Sequence, residues 1–99
     1  MAEEQFVQMY VREFATLAAR AEAGGEVETL VQKRVSDLRA HAQLMDQRKE
    51  AGHLAAVEER LLVESRRSHV QALRTADDPA AAARRREAFL VRVAGLLAA

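Results

Sequence analysis

Cysteine and tryptophan are absent from this 99-residue chain, proline occurs once, glycine four times and aromatic residues make up only 4%. Without cysteine there is no disulfide, no thiol nucleophile and no thiolate metal site, and nothing points to an oxidising compartment. With so few helix breakers the chain can run in long helices. A phosphate-cradling loop is excluded as well, because Gly24-Gly25 is followed by neither a Lys-Ser/Thr pair nor a helix that opens after a strand. The four aromatics are Phe6, Tyr10, Phe14 and Phe89. None interleaves with arginines, so stacking on single-stranded nucleic acid has no platform. No apolar run is long enough to span a bilayer: the most apolar stretch, AFLVRVAGLLAA, is short and interrupted by Arg92. The opening MAEEQF is acidic and lacks the apolar segment of a signal peptide, so a cytoplasmic location is expected.

What is present is charge and aliphatic surface. Hydrophobic residues are 49% and charged ones 30%, which suits an ordered, water-facing helical protein better than a disordered one. Net charge is zero, but it is divided unevenly. Residues 1–59 carry 7 Lys+Arg against 11 Asp+Glu, while residues 60–99 carry 8 arginines against 4 acids. Two readings follow: the acidic part packs beside the basic part, or the basic part meets an acidic partner or nucleic acid. The first is preferred.

The pattern predicts an all-α fold, a small bundle of three or four helices over about residues 3–23, 26–50, 53–75 and 79–98, forming a single domain over 1–99. In the first, Phe6, Val7, Tyr10, Val11, Phe14, Leu17, Ala18 and Ala21 fall within an arc of about 140° at 100° per residue. Gly24-Gly25 supplies a left-handed stop and a short link. In the second, Val27, Leu30 or Val31, Val35, Leu38, Ala42 and Met45 form a near-heptad seam with His41 on its edge, and Leu44 is expected to widen it. Five polar residues, Asp46 to Glu50, then break the pattern, and Leu54, Val57 and Leu61 resume on another side. A turn at Ala51–His53 around Gly52 accounts for the jump. One long helix that changes faces accounts for it too, and the turn is favoured. In the third segment Leu62, Val70 and Leu73 complete the apolar set. Asp78 is the N-cap candidate and Pro79 the first helical residue of the last helix. There Ala82, Phe89, Val93, Leu96 and Leu97 form the stripe, and Arg85 and Arg86 are expected to cover apolar surface with their guanidiniums in water.

Little here carries chemistry. Glu50-x-x-His53, with Asp46 one turn earlier, has the spacing of a di-iron carboxylate helix, but it lies in the most polar stretch and reads better as a solvated helix end. His41, His69, Ser65 and Ser68 have no partners at a recognisable catalytic spacing, and no pair of carboxylates is set in a dry pocket. The chain is therefore expected not to be an enzyme and to use no metal or cofactor. The arginines Arg66, Arg67, Arg74, Arg84, Arg85, Arg86 and Arg92 are suited to phosphate, yet an isoelectric point near 6.8 and the lack of a recognition-helix pair speak against a DNA reader.

No stretch carries a family signature. The texture is similar to that of small bacterial or phage accessory proteins such as secretion co-chaperones and protein inhibitors, through no motif. The expectation is a helical protein-binding module (adaptor, chaperone-like protein or inhibitor) that self-associates, with a dimer favoured. Arg66, Arg67, Arg84, Arg85, Arg86, Leu90 and Val91 are its candidate contact residues. A nucleic-acid-associated protein is the alternative, and no membrane contact is expected.

Overall fold

The computed structural model describes residues 3–75 and 77–98, with the side chains of 46, 47 and 65–75 outside that description. Four helices follow one another: α1 (Glu3–Glu22), α2 (Glu28–Asp46), α3 (Glu50–Thr75) and α4 (Pro79–Ala98). There is no strand among the described residues. The protein is all-α, as the periodicity predicts.

Helix α1 buries the eight residues of the predicted arc and no others. Glu3 and Glu4 stand in its first turn and Arg20 in its last, as the helix dipole favours. It ends in a Schellman motif, with Gly25 N–H donating to the Arg20 carbonyl and Gly24 N–H to that of Ala21. Gly24 has φ 85°, where a side chain is strained. At Gly25 the reason is different: a Cβ would lie 2.9 Å from Arg20 Cγ.

Residue 27 is the helix-entry position of α2, its carbonyl accepting from Val31 N–H, but valine cannot cap. The carboxylate of Glu26 does so instead, accepting from Glu28 N–H at 2.8 Å. Along α2 the seam is buried at Val31, Val35, Leu38 and Ala42, with Val27, Leu30 and Met45 packed against it in part. Leu44 does not join the core; it is 87% exposed.

The chain does reverse between α2 and α3. One helix from Glu28 to Thr75 would be about 70 Å long, whereas the longest dimension of the molecule is 44 Å. The break is not at Gly52. It is a single 3₁₀ turn at Gln47–Lys49, inside the polar run, and Gly52 lies within the first turn of α3 in open space. The polar run has no apolar surface to bury, so bending there sacrifices no packing. Gln43 donates across the turn to the Glu50 carboxylate at 3.3 Å. Before α4, Asp78 caps as predicted, its Oδ1 accepting from Ala81 N–H at 3.1 Å and its carbonyl from Ala82 N–H.

Short connections make successive helices antiparallel, so α1 and α3 run parallel, with Glu3 beside His53 and Glu4 beside Arg60. All four helices contribute to one hydrophobic cluster, from Phe6 and Phe14 of α1 through Leu38, Val57 and Phe89 to Leu97. Leu62 is half-buried. The predicted core positions Val70 and Leu73 lie outside the described side chains. No described helix is long and apolar enough to cross a membrane.

Candidate interaction surface

Three of the four arginines of α4 turn toward the rest of the chain. Arg86 is only 6% exposed, which corrects the expectation that its guanidinium stays in water. Its Nη1 lies 2.5 Å from Glu22 Oε1 at the end of α1. The two charges meet without in-line hydrogen-bond geometry, and Arg86 Nε has no hydrogen-bond partner. Such a pair gains Coulomb energy but forfeits much of its hydration. Arg85 stays exposed and donates from Nε to the Glu22 carbonyl at 2.8 Å, satisfying one of the free carbonyls that end α1. Arg92 binds Glu28 at 2.6 Å. That hydrogen bond, helped by one from Gln32, holds the Glu28 carboxyl below its ordinary 4.5 and raises Arg92 in turn.

Further arginines act between helices, Arg34 of α2 lying 3.5 Å from Glu13 of α1. Arg60 reaches Glu4 at 3.1 Å, and Arg39 donates to the Leu96 carbonyl, supplying a cation to the last turn of α4, which has none of its own. Arg60, Arg86 and Arg92 thus pair the basic part of the chain with acids of its acidic part, the preferred reading of the charge asymmetry.

The candidate contact residues are dispersed by this arrangement. Arg86 is interior, Leu90 is half-buried against the core, and Arg85 is exposed but engaged. Arg84 and Val91 lie on the outside of α4, Val91 at 65% exposure. Arg66 and Arg67, like His69, Ser65, Ser68 and Arg74, have side chains outside the description.

One cluster was not foreseen. His53, expected at a solvated helix end, is buried, with its ring 5.6 Å from that of Phe6 and its Nδ1 3.3 Å from Glu3 Oε1. The rings of Phe6 and His41 meet edge to face, their centroids 5.0 Å apart. Tyr10 OH lies 3.2 Å from both His41 Nδ1 and the Asp37 carbonyl. Both contacts are satisfied when the phenol donates to the carbonyl and accepts from His41 Nδ1–H. Burial pushes the Tyr10 phenol upward, and the acids Glu13 and Asp37 add to the shift against the opposing Arg34. The i, i+4 spacing of Phe6 and Tyr10 hinted at this cluster; the approach of His41 and His53 depends on helix packing. Glu50 turns to Gln43 and not to His53, and no group of three or more metal-ligating side chains occurs among the described residues.

No protein-family model, curated protein or solved structure matches this chain.

Proposed function

We propose that this chain is a non-enzymatic helical protein-binding module of the cytoplasm, an adaptor, chaperone-like protein or inhibitor, which self-associates and meets its partner through the outer face of α4. The observation that carries this reading is the division of labour along that helix. Arg85, Arg86 and Arg92 are engaged by α1 and α2, while Val91 is left 65% exposed. A phosphate-binding helix would present those arginines outward. Exposed apolar side chains rimmed by charge suit a protein surface better.

The test is a photo-crosslinking side chain placed at Val91 in the native host, with mass spectrometry of the adducts. Protein adducts that vanish when the same group is moved to Gln32, on exposed α2, support the reading. Adducts to nucleic acid, together with retention on DNA or RNA that falls steeply with salt, would replace it by the nucleic-acid alternative.

A further inference from the structure

We infer that the groove between the parallel helices α1 and α3 is a docking site for a helical segment of a partner protein whose apolar stripe is flanked by Lys and Arg. The residues that line it belong to α1 and α3 alone, so the inference goes beyond the α4 reading and does not depend on it. Two clefts of about 430 and 360 Å³ follow one another along the helices and share Arg60. On α1 the lining runs from Glu3 to Ala15, about 18 Å at 1.5 Å per residue, room for an occupant of roughly three turns. Buried Val7 and Val11 form the floor, and half-buried Ala56 and exposed Ala15 stand beside it. Val63 joins them, 43% exposed and one of three large apolar side chains that the described residues leave outside.

The charges select the occupant. Along its described length the groove is lined by four acids, Glu3, Glu4, Glu59 and Glu64, against two cations, Arg12 and Arg60. The excess lies at one end. Arg12 and Glu64 line the far cleft together, whereas Glu3, Glu4 and Glu59 share the near one with Arg60 alone. Arg60 is 3.1 Å from Glu4, but the pair is exposed and weak enough to yield to an incoming cation. Glu59 is exposed and forms no hydrogen bond or ion pair among the described residues. Nucleic acid would bring phosphates to these acids, and a second copy laid near end to near end would set acid on acid. A basic amphipathic helix instead lays its stripe along Val63 and the valine floor, with its cations gathered at the Glu3 end.

The test is selection on the purified chain from a library of amphipathic peptides of about 14 residues, long enough for the groove. Each carries leucines at helical spacing, with the flanking positions free to be Lys, Gln or Glu. Lysine is expected to be enriched beside the stripe, and the best peptide is then synthesised and its binding followed by fluorescence anisotropy. Val63→Asp, which sets a charge against the stripe, and Glu59→Lys should each weaken that binding on the order of tenfold. The same change of charge outside the groove, as Asp77→Lys at an exposed position, should leave it within about twofold, because salt screens a distant charge. Circular dichroism should be unchanged in all three variants. Enrichment of Glu, no enrichment, or binding that survives both groove substitutions overturns the inference, as does an equal loss with Asp77→Lys. A parent oligomer that dissociates in sedimentation equilibrium on Glu59→Lys overturns it too, since a second copy would then occupy the groove. None of these measurements involves Val91, so they fail or succeed apart from the α4 reading.

Discussion

Helices α1 and α4 are both 20 residues long and both amphipathic, yet they use their surfaces differently. Helix α1 puts every large apolar side chain but Met9 fully inside and leaves polar or small residues such as Gln5, Gln8, Arg12 and Ala19 outside. Helix α4 takes an arginine in and leaves a valine out. The contrast shows that an apolar stripe decides orientation only where it is continuous. On α4 the stripe has a gap between Ala82 and Phe89, and Arg86 fills it because Glu22 stands opposite.

The largest expected effect is at the centre of α1. Phe14→Ala should cost about 3–5 kcal/mol in denaturant unfolding, the usual result of truncating a fully buried aromatic. Val91→Ala, on the exposed side of α4, should change monomer stability by less than about 0.5 kcal/mol. Equal losses at the two positions would abolish the contrast.

Arg86 is the next test. Arg86→Ala leaves Glu22 charged and largely buried without its partner, and a loss of about 3 kcal/mol is expected. Replacing both members, as Arg86→Met with Glu22→Gln, should recover most of it, because the pair itself carries a desolvation cost. A single variant no less stable than the parent would mean that the guanidinium is not held by α1.

Smaller effects sharpen the picture. Asp78→Ala should cost about 1 kcal/mol through loss of the α4 cap. Gly95→Ala should add a few tenths to about 1 kcal/mol of stability to the dilute monomer, since the space beside it is open. A loss there would show that the chain itself needs the glycine. The smallest effect concerns Glu28. Its depressed carboxyl contributes stability above the ordinary carboxylate range, and that contribution fades as pH falls below about 4 through the lowered folded value. Arg92→Gln should flatten this part of the acid unfolding profile slightly, and an unchanged profile would count against the pair.

Much of the fold was legible because local rules sufficed. The arc of α1, the glycine stop at Gly24 and Gly25, the seam from Val31 to Ala42 and the Asp78 cap depend on periodicity and turn chemistry within a few residues. The α2–α3 break, at Gln47–Lys49, comes earlier than Gly52 suggests. A glycine in the first turn of a helix is cheap, whereas the polar run before it had nothing to pack. Of the candidate surface, Arg84 and Val91 are exposed and Arg86 is buried, a difference that the sequence did not show.

By itself, then, the sequence determined the amphipathic helical segments, their apolar faces and most of their ends, and left three or four helices open, because hydrophobic period and capping act over one or two turns. Only the tertiary structure decided which charges meet. Glu22 with Arg86, Glu28 with Arg92 and Glu4 with Arg60 are more than fifty residues apart in the chain. The same holds for His53 against Phe6, whose burial follows from the parallel alignment of α1 and α3. Periodicity places a side chain on a face of its own helix, but the partner across that face is set by how the helices stagger against one another.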